Sequence, residues 1–284
     1  MGYARRMTSS QRARVVLTST LSLDGKIALS SQAPLLDRDA ADQWLNLHPP
    51  SAPAAAARRA EHLARTLGPT AVLEGSGTFV ATDAAGIAER EPSPLQDAAS
   101  TELFQDHLPS SGEAEHGPRS WFVVIDSRGR VTWERSSEGG TTLLVLVARS
   151  TPCSYLRRLR QDGISYLVVG QDRVDLTTAL GRLRTLLGIE WVVADSGGRL
   201  NAALLAEGLV EQVHVLVLPA LVGGGTTPTL VDGDQSGKNH TSDLPARLRL
   251  VRADVEEDGL LSLEYAVLHD KARAPGDAGA ARSR

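Results

Sequence analysis

Only one cysteine, Cys153, stands in the 284 residues, which excludes an internal disulfide and a cysteine-rich zinc site. Neither sign of charge is in excess: 30 Lys and Arg against 34 Asp and Glu leave a formal net charge of −4, without the basic footprint that nucleic-acid binding requires. Long hydrophobic runs are missing too. The strongly apolar ones, such as Leu143–Ala148, are strand-sized, so no membrane span is expected. Arg5, Arg6, Arg12 and Arg14 are not followed by an apolar stretch, which argues against a signal peptide, and Arg6 stands where a myristoylation signal needs Ser or Thr. The seven histidines include no pair at metal-ligand spacing: His48, His107, His116 and His240 fall in loop-like segments and His214 in a strand, so no metal is expected. No internal repeat is visible. These absences leave a cytoplasmic protein of one large domain or two small ones as the expectation.

What is present is alternation. Residues 1–13 form a polar lead-in, and Arg14–Thr20 reads as a strand that ends in the Asp24-Gly25 turn. A short helix over Ala40–Leu47 is broken by Pro49, Pro50 and Pro53, and a second helix spans Ala54–Leu67. Thr70–Leu73 is a short strand. Residues 89–118, rich in proline, serine, glycine and acid, read as an exposed insertion with a short helix near Thr101–His107. Trp121–Ile125, Thr142–Ala148 and Tyr166–Val169 read as strands, and Cys153–Gln161 as a helix. Asp175 is placed to cap a helix through Leu187, in which Leu176, Leu180, Leu183 and Leu187 keep the helical period. Val213–Leu218 is a further strand. Arg247–Val255 and Leu260–Leu268 form a hairpin across Glu256–Gly259, before a small polar tail at 271–284. The pattern predicts an α/β domain over 14–270, with a mainly parallel sheet and an antiparallel C-terminal hairpin.

The segment Trp191–Val210 carries the most chemical information. An apolar strand ends at Asp195, and Ser196-Gly197-Gly198 turns the chain. Leu200, Leu204 and Leu205 then form an apolar helical stripe, and Gly208 stands where a left-handed C-terminal residue belongs. A helix that opens on bare glycines points unpaired N–H groups outward, an anion site suited to a cofactor pyrophosphate; a tight turn with no ligand fits equally well. Gly75-Ser76-Gly77-Thr78 and Gly223-Gly224-Gly225 also follow strands, and ligands of open α/β sheets bind beyond such strand ends. Val80 stands where the dinucleotide fingerprint has its third glycine, and no Walker lysine follows any of these turns. The middle glycine of the triple reads as loop flexibility. Asp24 and Asp195 are the carboxylates expected to face a cleft, there to hold a proton or bind a substrate amide, with turn formation the competing role for Asp24. Arg90 is placed either to pair with a phosphate or to be solvated at the surface.

Taken together, the segments resemble the reductase family of riboflavin biosynthesis: the C-terminal domain of the bifunctional deaminase-reductase and its stand-alone relatives. The resembling residues are Ser22–Ala28; Gly75–Thr78 with Asp83, Ile87 and Arg90; Val123–Arg130; Gly197–Asn201 through Gly208–Glu211; and Pro219 with Gly223–Gly225, in family order from about residue 14 to 268. The resemblance implies a three-layer α/β/α, dihydrofolate-reductase-like fold. It also implies an NADPH-dependent reductase that converts a ribosylamino group on a pyrimidine to a ribitylamino group, and a homodimer. Carried over by position, Thr20, Gly75, Gly77, Thr78, Ser127, Ser196, Gly197, Gly198, Arg199, Leu200 and Asn201 match cofactor contacts. Asp83, Ile87, Arg90 and Asp195 match substrate contacts, and Asp195 with Asp24 are the candidate catalytic acids.

Departures gather on the substrate side. Asp195 replaces a usual glutamate and Ser196 a usual glycine. Glu74 stands at a commonly apolar position, Thr18 where bifunctional forms often have lysine, and Gln32–Leu36 replaces a serine-rich segment. No zinc-deaminase signature is present, which excludes deamination. The expectation is therefore a retained cofactor with a substrate that has drifted, toward another imine or a pteridine-like heterocycle. A dihydrofolate-type reductase and a catalytically silent nucleotide-binding module are the alternatives. Arg128, Arg130, Arg149 and Ser150 are the candidates to read a 2′-phosphate.

Overall fold

Strand β1, Arg14–Ser22, is buried along nearly its whole length, because both its faces are covered. It lies inside a ten-stranded sheet seen in a computed structural model that describes residues 11–30, 38–80, 100–108, 120–233 and 245–269. The other strands are β2 (Ala71–Gly75), β3 (Ser120–Ile125), β4 (Ser137–Glu138), β5 (Thr141–Val147), β6 (Ser165–Val168), β7 (Trp191–Ala194), β8 (Val210–Leu218), β9 (Arg247–Val255) and β10 (Leu261–Leu268). The helices are α1 (Arg38–Leu45), α2 (Ala52–Thr66), α3 (Ser100–Leu103), α4 (Cys153–Gln161), α5 (Leu176–Leu187) and α6 (Gly198–Ala206). Strands β6, β5, β3, β2, β7, β1 and β8 run parallel in that spatial order, and β10 and β9 close the edge antiparallel. The expected α/β class and C-terminal hairpin are both present.

Side-chain alternation along the strands divides the core between two faces. Leu17, Leu73, Val123, Leu144, Leu146 and Val192 point to the face covered by Leu180 and Leu183 of α5 and Leu204 and Leu205 of α6. Val124, Val145 and Val147 point the other way, onto Tyr155, Leu156 and Leu159 of α4. Val16 and Trp191 share that second face with Leu63 of α2, and Leu216 and Leu218 share it with Ala52 and Ala55. The architecture is thus three-layered. Local chemistry agrees with it: the Asp175 carboxylate caps α5 by accepting from Thr178 N–H at 2.7 Å, and Gly188 ends the helix at φ 67°.

Two elements depart from expectation. Residues 89–118 were expected to form an exposed insertion, yet within that stretch 100–108 is docked: Leu103 is buried in the α4 core, and Tyr166 Oη donates to its carbonyl at 2.7 Å. Leu103 and Phe104 supply the apolar surface that composition averaged over the segment concealed. The middle glycine of the triple, read as loop flexibility, is also required by the packing of its own loop. Gly224 lies at φ 82°, where an added Cβ would meet Thr227 Oγ1 at 2.2 Å.

The connections position the site. From β1 the chain crosses by α2 to β2 on one face. From β7 it crosses by α6 to β8 on the other face, passing over β1. Crossovers that diverge to opposite faces make the carboxyl ends of β2, β7, β1 and β8 the edge at which a ligand crevice is expected. No described helix is long and apolar enough to cross a membrane. Leu183, fully buried beneath α5, provides a test of the packing. Leu183→Ala should lower the urea midpoint by an amount equivalent to about 2–5 kcal/mol, with an unchanged denaturant slope.

Candidate functional site

At the carboxyl edge, register decides which side chains meet. Leu73 pairs with Ala194 across β2 and β7, so Glu74 and Asp195 follow side by side at the strand ends. Both project to the α2 face, opposite to Leu73 and Ala194. Thr78 Oγ1 donates to a Glu74 carboxylate oxygen at 2.6 Å. Burial first, and the neighbouring Asp195 charge in addition, push the half-buried Glu74 up to about 7 against the Thr78 hydrogen bond. Asp195 opens to the cleft, yet enough protein surrounds it that burial raises its carboxyl, while Arg59 of α2 pulls it back down. Arg59 itself donates to the Ser19 carbonyl at 2.8 Å. The result is two acids and one guanidinium at the mouth of the crevice.

The Ser196–Asn201 turn divides its labour. The Ser196 hydroxyl donates to Asn201 Oδ1 at 2.7 Å, and Asn201 Nδ2 donates to the carbonyls of Ser196 at 3.0 Å and Leu230 at 2.9 Å. Asn201 is fully buried. These two side chains, expected to contact cofactor, instead hold the turn and the 229–232 loop together. Leu200, also expected at the cofactor, packs on the core and lies 3.8 Å from where a Cβ on Gly75 would be. Gly198 is required by the chain itself: an added Cβ would meet the Thr229 carbonyl at 2.2 Å and the Asp232 carboxylate at 2.7 Å. Asp232 thus answers the positive end of α6 on one side. Above Gly197 and Gly77 an added Cβ would meet nothing within 4 Å. Among the described residues, the N–H groups of Gly198 and Arg199 have no acceptor. Main chain, with the exposed Arg199 side chain beside it, is what this turn offers a ligand.

The remaining expected residues fall into place unevenly. Thr20 lies half-buried at the end of β1, and Thr78 is buried against Glu74. Ser127 Oγ accepts from Val174 N–H at 3.1 Å, tying the end of β3 to the loop before α5. Asp24 is exposed and serves as a latch. It accepts from the Ser22 hydroxyl at 2.5 Å and from the N–H groups of Val222 at 3.1 Å and Gly223 at 2.7 Å. Those bonds, the Ser22 one foremost, pull its carboxyl down to about 2, so Asp24 is ionised at neutral pH and cannot donate a proton there. Its catalytic reading gives way to the turn-forming one. Asp83, Ile87 and Arg90 lie outside the described residues.

Two contributors escaped the sequence reading. Arg59 lies four residues from both Ala55 and Leu63, the buried stripe of α2, and that spacing would have placed its guanidinium inward. Asp232 gave no signal, since its role depends on a loop folding back onto Gly198. An arginine group also gathers here. Arg128 and Arg199 both act electrostatically on Arg130, whose guanidinium donates to Ser76 Oγ at 2.7 Å. Arg59 further lines a cavity of about 310 Å³ beside the hairpin. Its charges largely pair among themselves, Arg252 with Asp254 at 2.8 Å and His62 with Glu264 at 3.6 Å.

Known proteins resemble this chain in sequence and in fold. Residues 13–261 match the family described as RibD C-terminal domain. The chain is 34% identical over 156 residues to the 2,5-diamino-6-ribosylamino-4(3H)-pyrimidinone 5′-phosphate reductase of Methanothermobacter thermautotrophicus, covering 55% of this chain and 69% of that one. Among solved structures, RibD of Acinetobacter baumannii superposes with a TM-score of 0.55 at 20% identity, over 92% of this chain and 59% of that chain. A pyrimidine reductase-like protein from Corynebacterium diphtheriae gives a TM-score of 0.55 at 17% identity, over 94% of this chain and 96% of that one. These two superpositions establish the fold.

The raised Glu74 carboxyl links stability to pH. Its folded value lies above that of an unfolded glutamate, so folding favours the protonated form. Its contribution is intact below the unfolded value near 4.5 and is lost as pH rises through about 7. Glu74→Gln should therefore unfold at higher urea than wild type at pH 8, by up to about 3 kcal/mol, with the gain vanishing near pH 4.

Proposed function

The chain belongs to the RibD C-terminal domain family, and from that premise we propose that it is an NADPH-dependent reductase of a phosphoribosylamino-pyrimidine or a closely related imine or heterocycle. It is an oxidoreductase in kind, as its named relatives are reductases of a ribosylamino-pyrimidinone phosphate. One observation carries the reading. Open main-chain turns at Gly77 and Gly197 sit on the adjacent strand ends that also present Glu74 and Asp195. A cradle that an added Cβ would fill suits the close approach of a dinucleotide phosphate to the backbone. The group that fits there supplies a hydride.

The rest is done by this chain. The amides of Gly198 and Arg199 and the charges of Arg128, Arg130 and Arg199 would hold the phosphates, and three guanidinium groups favour a nucleotide with an additional 2′-phosphate. Thr20, at the end of β1, would flank the nicotinamide. Asp195 would bind the substrate and hold a proton, with Arg59 limiting how far its carboxyl rises. Substrate phosphate is assigned to the segment with Asp83, Ile87 and Arg90. Asp195, one methylene shorter than the usual family glutamate, supports a substrate altered from the family norm. Work on a reduced nucleotide pool fits the cytoplasm.

A second protomer is part of the reading. Strand β9 is an edge that leaves Leu248, Leu250, Val251 and Val255 exposed among Arg247, Arg249 and Arg252, with a register shift against β10 at Val251. We infer a homodimer that covers this strand. Leu250→Lys with Val251→Lys should convert a dimeric mass in light scattering to a monomeric one.

Gly197→Ala tests the cofactor site. Its φ of −69° tolerates alanine, so stability should change by less than about 0.5 kcal/mol. NADPH affinity, read by fluorescence titration, should fall roughly tenfold or more as the methyl fills the cradle. Oxidation of NADPH followed at 340 nm with phosphoribosylamino-pyrimidine, dihydrofolate and pteridine acceptors separates the substrate readings. Tight binding with no turnover of any of them would favour the silent module.

A further inference from the structure

We propose that Glu74 and Asp195 share one proton across the β2–β7 register and that this proton is the one consumed when the substrate is reduced. Asp195 is the group that meets substrate, and Glu74 is a positioning residue that stores the proton behind it. The inference rests on the reading of the crevice as a ribosylamino reductase site and names how that site is supplied with its proton.

Geometry comes first. The two acids follow the paired residues Leu73 and Ala194, which sets their main chains about 4.8 Å apart on neighbouring parallel strands. With the main chains this close and both side chains on the α2 face, the Asp195 charge disfavours ionisation of Glu74. The groups that face them are few. Arg59 reaches in from α2, Thr78 donates from the turn after β2, and Arg130 from the loop after β3 is held on Ser76 Oγ, two residues beyond Glu74. Thr18, level with Asp195 on β1, is uncharged, and buried His214 beside it on β8 is pushed down to about 4, first by burial and then by His62 and Arg59, so it stays neutral at pH 7. Two carboxyl groups, one guanidinium and one shared proton make a neutral cluster. Glu74 occupies a position that is commonly apolar in the resembling family, so this store belongs to the present chain.

The chemistry requires such a proton. In a ribosylamino group the anomeric carbon bears both the ring oxygen and the nitrogen. Reduction breaks the bond from that carbon to the ring oxygen and forms a carbon–hydrogen bond with the hydride pair. The carbon is reduced, the nicotinamide is oxidised, and the departing oxygen takes one proton to become a hydroxyl. The proposed path delivers that proton from Asp195, which is recharged by Glu74.

The test is the pH profile of kcat/KM for NADPH oxidation with a phosphoribosylamino-pyrimidine. Wild type should lose activity on an alkaline limb near pH 7. Glu74→Gln removes the store while Arg59 still draws Asp195 toward ionisation. Its limb should shift to lower pH by about a unit, with a roughly 10- to 100-fold loss at pH 7 that shrinks at pH 5. NADPH affinity should stay within about twofold, and Glu74→Asp should restore part of the rate. An unmoved limb in Glu74→Gln, or a loss equal at every pH, would overturn the inference. A wild type that neither binds NADPH nor turns over would instead overturn the reading of the site beneath it. A measurement independent of substrate and of variant folding is carbon-13 NMR of wild-type protein labelled at glutamate carboxyls. One resonance should titrate near pH 7, and its absence would refute the shared proton by itself.

Discussion

Strand β7 stands between β2 and β1, and the chemistry of this protein follows from where its residues come level with theirs. Trp191 and Ala194 align with Arg14 and Leu17 on one side, and Val192 and Ala194 with Ala71 and Leu73 on the other. Parallel pairing allows no sliding by one residue, because a single step would turn every buried side chain of β7 to the wrong face. With the core locked, the next residue out on each strand is assigned a neighbour. Glu74 meets Asp195, and Arg59 is drawn from α2 because two acids without a cation would be costly to hold there.

The same economy governs the turn that opens α6. A side chain can either hold the backbone or hold a ligand. Ser196 and Asn201 do the first, together with the 229–232 loop. This ties the turn down and leaves the N–H groups of Gly198 and Arg199 without an acceptor among the described residues, and a turn ordered beforehand is what a phosphate site needs if ordering is not to be repaid on binding. Asp24 acts similarly from β1, latching the Gly223 loop with a carboxylate that stays ionised. Several of the acids and amides at this edge are thus scaffolding, and what they scaffold is a narrow set of groups: exposed Gly77, Asp195 and Arg199, with half-buried Gly197 and Glu74.

Much of this was legible in the chain before any fold was known. Strand runs such as Trp191–Ala194, the Asp175 cap and the hairpin around Gly259 are local patterns, and local propensity decides them. The glycine turns were legible as turns, and their shared position at strand ends follows from alternation of strand and helix. Less legible was the division of labour. Asn201 and Leu200 looked like ligand contacts because they stand in the right motif, yet one is consumed by hydrogen bonds to Ser196 and Leu230 and the other by packing near Gly75. Leu103 was lost inside a polar segment because its partners, Tyr155 and Tyr166, lie more than fifty residues away.

By itself, the order of residues determined the element types, the parallel class of the sheet, the turns that face a ligand and the acid at the end of β7, since each depends on neighbours within a few positions. Only the tertiary structure decided that Glu74 would stand beside Asp195, that Arg59 would answer Asp195, and that Gly198 would be glycine for the sake of Thr229 and Asp232. Those choices depend on strand order and register, and both are set by burial across the whole sheet, which no single segment encodes.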